Sequence, residues 1–150
     1  MKLAKVFKEN KQFTLFSILA LVVVGVAVFA PQIAPYDPLD AVMLESLQAP
    51  SSAHPFGTDK LGRDLLSRVI FGTRTSLIMT LCLVAVIFVI GTFLGVIAGY
   101  FGGIVDGVIM RIADMMISFP GLVLAIAIAG MLGPNLVNAV ISIAAVSWTK

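Results

Sequence analysis

Between Lys11 and Asp37 no Asp, Glu, Lys, Arg or His interrupts the chain. The run from Phe13 to Ala30 is almost wholly apolar, and Pro31-Gln-Ile-Ala34 extends it. A helix needs about 20 such residues to cross the hydrocarbon core of a bilayer. In lipid the backbone has no water to bond with, so a spanning stretch of this kind must be helical. The rival reading is a cleaved signal peptide, because Lys2, Lys5, Lys8, Glu9 and Lys11 form a basic head and Val28-Phe-Ala30 offers small residues for a cut. Pro31 would follow that cut, and the apolar run exceeds the usual signal core. A retained first transmembrane helix over 13–34 is therefore expected, behind a basic tail over 1–12.

The same feature returns later. After Arg74 only Asp106, Arg111, Asp114 and Lys150 carry charge. A second span is expected over 75–98, then a turn over 99–106 containing Gly99-Tyr-Phe-Gly-Gly103. A third is expected over 107–132 with Phe119-Pro120 inside it, then a turn over 133–135 and the start of a fourth span over 136–150. Composition agrees: 59% of residues are apolar and 12% charged, against roughly a quarter charged in an average soluble domain. That balance excludes a disordered chain and leaves too few polar side chains to cover a water-soluble domain. The net charge of +2 and the lack of a basic–aromatic patch argue against nucleic-acid binding. The expected fold is all-α, a polytopic transmembrane helix bundle with one amphipathic outer-side helix.

Residues 35–74 form the polar part. Ala34-Pro-Tyr-Asp-Pro38 and Ala49-Pro-Ser-Ser-Ala-His-Pro-Phe-Gly57 read as turns, since each proline biases its predecessor away from helix. Further on, Leu61, Leu65, Leu66, Val69 and Ile70 recur at helical spacing, opposite Lys60, Arg63, Asp64 and Arg68. An amphipathic helix over about 59–72 is expected, capped by Thr58 or Asp59, with Asp64 and Arg68 paired at i, i+4. It can lie at the membrane surface, pack on the transmembrane core, or do both. His54, beside Pro55, reads as a turn residue.

Lysines are dense before the first helix and sparse in the loop after it. The positive-inside rule then puts the N-terminus in the cytoplasm and residues 35–74 outside. Gly91, Gly95 and Gly99 are spaced by four, so one face of the second helix can admit another helix closely; this serves either bundle packing or a partner. Asp106, Arg111 and Asp114 sit near the start of the third span. Charges at membrane depth face a bundle interior or a watery cavity, whereas at the interface they snorkel; Arg111 and Asp114 stand i, i+3 and can pair. Pro120 is expected to kink the helix above them. One histidine and one cysteine, Cys82 in the second span, supply neither a disulfide nor a zinc or nickel site. No catalytic triad or carboxylate pair is placed, and no phosphate loop, since Gly99–Gly103 lacks a Gly-Lys-Ser/Thr ending. No catalytic, cofactor or metal residue is expected.

Pro55-Phe-Gly57-Thr58-Asp59, Leu61-Gly62-Arg63-Asp64 and Ser67-Arg68, followed by Gly72-Thr-Arg74, resemble a signature of one family. It comprises the inner-membrane permease subunits of dipeptide, oligopeptide and nickel ABC importers. Ala34–Pro38, Gly99–Gly103, Asp106, Met110-Arg111, Asp114 and Phe119-Pro120 resemble it too. The resemblance implies a multi-pass permease of the bacterial or archaeal cytoplasmic membrane. Its partners would be a second permease subunit, two cytoplasmic ATPase subunits and an external solute-binding protein. It would move small peptides by alternating access without hydrolysing ATP itself; a nickel complex is the alternative substrate. The family's ATPase-docking loop, with a Glu-Ala-Ala pattern, is expected after the fourth helix, and the sequence stops at Trp148-Thr-Lys150 before it. A truncated remnant or small membrane scaffold without transport activity is the further alternative.

Overall fold

A computed structural model describes residues 10–149, so most of the basic tail expected over 1–12, and Lys150, lie outside the described residues. Helix α1 spans Lys11–Val28, and α2 is a single turn, Ala30–Ile33. They are separate because Pro31 sits at the start of α2, where a missing N–H is harmless. A 3-10 turn, Met43–Glu45, punctuates the loop after it. Helix α3 then runs Leu65–Phe101, α4 Gly103–Ser118, α5 Gly121–Leu132 and α6 Leu136–Ser147. Among the described residues there is no strand, only one antiparallel bridge between Thr58 and Asp64. The described residues are all-α, in keeping with the hydropathy pattern.

The amphipathic helix expected over 59–72 is not a separate element. Residues 59–64 form a turn, and from Leu65 onward the helix continues unbroken for 37 residues. No proline lies between Leu65 and Phe101 to stop it, and Gly72 alone is insufficient. At 1.5 Å per residue α3 is about 55 Å long, well beyond the roughly 30 Å hydrocarbon core. Its polar end, with Arg68 and Arg74, thus extends past any span it makes.

Pro120 breaks a helix where a kink was expected. Helix α4 ends at Ser118, Pro120 takes an extended conformation, and α5 begins at Gly121, with α4 and α5 at 92°. The ring lacks an N–H and disfavours helix at Phe119, which is extended. By length and composition, α1 and α3 can each cross a membrane, and the bent α4–α5 pair makes up to three spans among the described residues. Helix α6 is a shorter apolar helix of 12 residues, about 18 Å long.

The chain divides into two compact units, one ending at Leu77 and the other starting at Ile78. In the second, α5 and α6 pack together across a short turn, burying Ala125, Ser142, Ala144 and Val146. Asn135 caps α6 by accepting from the Val137 N–H at 2.9 Å. Asn138 closes the other end of the turn, donating to the Leu132 carbonyl at 2.7 Å and the Gly133 carbonyl at 3.2 Å. The last carbonyls of a helix have no partner within it, so a side-chain donor is what they need.

Candidate functional site: a polar cap at the head of the long helix

The residues of the signature come together in the first unit, in a cap built over residues 36–68. Its foundation is the loop Asp59-Lys-Leu-Gly-Arg63. One Asp59 carboxylate oxygen accepts the N–H of Leu61 at 2.8 Å and of Arg63 at 3.1 Å, and the other accepts Arg63 Nε at 2.9 Å. Such an Asx-type turn lets a carboxylate replace the backbone acceptor the loop lacks. Burial pushes the Asp59 carboxyl pKa up, but the Arg63 and Leu61 N–H groups and the Arg63 guanidinium outweigh it, so the pKa lies below the ordinary value. Arg68 Nε also approaches Asp59, at 3.7 Å. The expected Asp64–Arg68 pair is therefore not made; Arg68 turns to the loop because Asp64 is engaged elsewhere.

Two glycines make the loop possible. Gly57 and Gly62 both have φ of +75°, a left-handed conformation that other residues adopt at a cost of about 1–2 kcal/mol. They are also tightly enclosed. A Cβ on Gly62 would overlap the Val42 carbonyl, and one on Gly57 the Gln48 carbonyl.

Segment 45–48 is clasped to this loop mostly through backbone. Thr58 N–H donates to the Gln48 carbonyl at 3.1 Å, Gln48 N–H to the Thr58 hydroxyl at 2.8 Å, and Leu47 N–H to the Asp59 carbonyl at 3.0 Å. The Thr58 hydroxyl donates to the Glu45 carbonyl, and the Ser46 hydroxyl to the Lys60 carbonyl at 2.9 Å. Thr58 is thus a buried cross-link and not the expected helix cap.

The cap of α3 is Asp64. One of its oxygens accepts the Ser67 N–H at 2.7 Å, satisfying a donor that the first helical turn leaves free. The other lies 3.0 Å from His54 Nδ1. Burial raises the Asp64 carboxyl pKa, but hydrogen bonds from the Ser67 N–H and hydroxyl and from His54 outweigh this and hold it below the ordinary carboxylate value. Ser67 is fully enclosed, and its hydroxyl oxygen accepts the Tyr36 N–H at 3.1 Å. The Tyr36 hydroxyl donates to the Ala53 carbonyl at 3.1 Å, and its ring lies 4.9 Å from that of His54. His54 Nε2 faces Glu45 at 3.3 Å. So His54, read as a turn residue, is 6% exposed and joins three segments. Its partners Tyr36 and Glu45 were likewise missed; the signal available was the short polar segment 35–64, with a single histidine among five acids.

The remaining expected residues are not assembled into a site. Asp106 is half-exposed on α4, while Arg111 and Asp114 are exposed and make no ion pair with each other among the described residues. On α3 a Cβ at Gly91 would meet the Trp148 carbonyl at 3.3 Å, whereas Gly95 and Gly99 face open space. Cys82 is exposed. Among the described residues no cluster of three or more His, Cys, Asp or Glu could hold a metal ion.

Sequence comparisons place this architecture. The family described as the N-terminal TM domain of oligopeptide transport permease C matches residues 2–50. A dipeptide transport system permease protein of Haemophilus influenzae is 40% identical over 147 residues, 94% of this chain and 50% of that protein. A probable D,D-dipeptide transport system permease protein of Escherichia coli K12 is 41% identical, over 97% of this chain and 49% of its own length. The chain is similar to these peptide-transport permeases over nearly its whole length. A glutathione transport system permease protein of Pectobacterium atrosepticum is 42% identical, over 83% of this chain and 42% of that protein. The chain spans about half the length of the curated relatives it matches. With its apolar helices, the relationship identifies a multi-pass membrane protein.

Proposed function

We propose that this chain is a permease subunit of a binding-protein-dependent ABC importer that carries small peptides across the cytoplasmic membrane. The carrying observation is identity of about 40% to peptide-transport permeases over nearly the whole chain. On this reading the chain is no enzyme. Its partners are a second permease subunit, two ATPases on the cytoplasmic side and a solute-binding protein outside. The N-terminus is cytoplasmic and the cap over 36–68 faces outward, in keeping with the lysine-rich tail.

The division of labour rests on the parts. Alternating access needs helices that move as units and an outer surface that keeps its shape while they do. The Asp59 loop and the Asp64 cap tie the outer segment to the head of α3 through charge-assisted bonds, so tilting α3 carries the cap with it. The open glycine face at Gly95 and Gly99 suits close approach by a helix of the second permease subunit. Asp106, Arg111 and Asp114 then lie near the cytoplasmic interface. Peptides are preferred to nickel complexes because relatives about 40% identical are named for dipeptides, D,D-dipeptides and glutathione.

The test is uptake in the source organism. Disrupting the gene should abolish accumulation of a radiolabelled dipeptide, and a wild-type copy should restore it. Unchanged uptake of dipeptide, with loss of labelled nickel uptake or of neither, would reject the peptide reading.

A further inference from the structure

His54 holds a position that a turn residue does not need. Its ring is buried, with Nδ1 3.0 Å from Asp64 and Nε2 3.3 Å from Glu45. An ionised carboxylate only accepts hydrogen bonds. A neutral imidazole carries one N–H, so it can serve one of these carboxylates while turning a lone pair toward the other. Both contacts are favourable together only if the ring carries two protons or one carboxyl is protonated. Asp64 is committed as an anion by the Ser67 N–H on its other oxygen. The Glu45 side chain is 42% exposed, so water solvates its charge.

The surroundings point the same way. Asp37 and Asp40, from the segment before the 3-10 turn, line with Glu45, Asp64 and Gly62 a small cavity of about 100 Å³ against the ring. Tyr36 stacks at 4.9 Å and keeps its hydroxyl on the Ala53 carbonyl. Within His54's own turn its backbone is held by Ser51, whose hydroxyl accepts the His54 N–H at 3.1 Å and whose N–H donates to the His54 carbonyl at 2.9 Å. The neighbouring cations, Arg63 and Arg68, are both turned to Asp59. Among the described residues, the charged groups that line the cavity with the ring, Asp37, Asp40, Glu45 and Asp64, are all acidic.

We propose that His54 is an imidazolium clamp, and that its second proton is a pH-sensitive latch holding the 43–48 segment to the head of α3. With both nitrogens protonated, the ring bridges Glu45 and Asp64 and ties the 3-10 turn down. When pH rises and one proton leaves, the remaining N–H stays on Asp64, which is nearer and more deeply buried. The bare Nε2 then opposes the Glu45 carboxylate, and that arm is released. The Asp64 helix cap survives, so only one side of the outer segment loosens. The inference stands on this geometry and holds whether or not the chain transports peptides.

Because the sequence holds a single histidine, its ring nitrogens are unambiguous in a ¹⁵N-histidine-labelled sample of the full chain in nanodiscs. Nitrogen shifts should report both ring nitrogens protonated at mildly acidic pH and one at mildly alkaline pH. Hydrogen-exchange protection of residues 45–48, corrected for intrinsic rates, should fall about tenfold across the same transition, while protection at the start of α3 stays constant. His54→Ala is liable to unfold the cap, so Glu45→Gln is the decisive variant. It keeps the shape, removes the charge and should abolish the pH dependence of protection. A ring with one protonated nitrogen throughout, or an unchanged pH dependence in Glu45→Gln, would overturn the proposal.

Discussion

The cap buries mainly polar side chains and the helices mainly small apolar ones. In the cap the enclosed side chains are His54, Thr58, Asp64 and Ser67, each with a hydrogen-bonding partner. Along the helices the enclosed residues are mostly small, such as Ala98, Ala113, Ala125 and Ala144, while Leu21 is 71% exposed and Phe88 70%. A water-soluble domain does the reverse. Buried polar groups are tolerable only when satisfied, and in the cap they are, within the chain itself. Exposed Leu and Phe at this density are tolerable only when something apolar covers them, which lipid or other helices do. The cap is thus a region that specifies its own shape, and the helices are a region whose surroundings complete it.

If that contrast is right, a small change in the cap should be severe. Gly62→Ala combines a left-handed backbone with a Cβ driven into the Val42 carbonyl. Backbone atoms cannot swing aside as a flexible side chain does. The expected loss is roughly 3 kcal/mol or more of local stability. Limited proteolysis should then cut within 39–53 at least tenfold faster than in the wild type. An equally resistant Gly62→Ala protein would mean that the loop has another backbone conformation.

Asp64→Asn probes the polar network with less disturbance. The amide keeps the volume but loses the charge that faces His54 and caps Ser67. The expected loss is about 1.5–3 kcal/mol, the range for a hydrogen bond to a charged group. Linkage sets the sign with pH. The folded Asp64 has a pKa below its unfolded value, so acid protonates the unfolded chain first. Its contribution is fully present above about 3.9 and is lost as pH falls through the lower, folded value. Asp64→Asn should flatten this acid limb in an exchange or proteolysis profile of the cap. A variant that keeps the wild-type limb would show the network gains nothing from that charge.

How much of this was readable in the sequence divides along the same line. Apolar runs bounded by charges located the helices, because lipid imposes length and helicity on any spanning chain. The cap was less legible. Periodicity over Leu61–Ile70 suggested a helix from 59, but the Asp59 Asx-type turn and left-handed Gly62 take those residues out of helix until Leu65. The signature residues are legible as a set without their roles: spacing pairs Asp64 with Arg68 at i, i+4, whereas Asp64 is the helix cap. His54 was missed because its partners lie 9 and 10 residues away along the chain, at separations no local pattern encodes. Pro120 was noticed, but a proline can kink a helix or end it, and the backbone on either side decides which. Here both Phe119 and Pro120 are extended, and the helix ends.

The mildest effect on the chain itself is expected where its surface is unfinished. At Gly95 an added Cβ meets nothing within 4 Å, and leucine is the better helix former by nearly 1 kcal/mol. Gly95→Leu should therefore leave the folding of this chain unchanged within about 0.5 kcal/mol, seen as wild-type helicity and wild-type protection of the cap. What it should remove is close approach by another helix, since a small-residue face works by letting backbones come near. On the proposed function, co-purification of a second permease subunit from membranes should fall several-fold, with abundance of this chain unaltered. The same substitution at Gly91, where a Cβ already meets the Trp148 carbonyl at 3.3 Å, should instead disturb the chain's own packing. If Gly95→Leu costs stability and Gly91→Leu does not, the open and closed parts of this helix have been assigned the wrong way round.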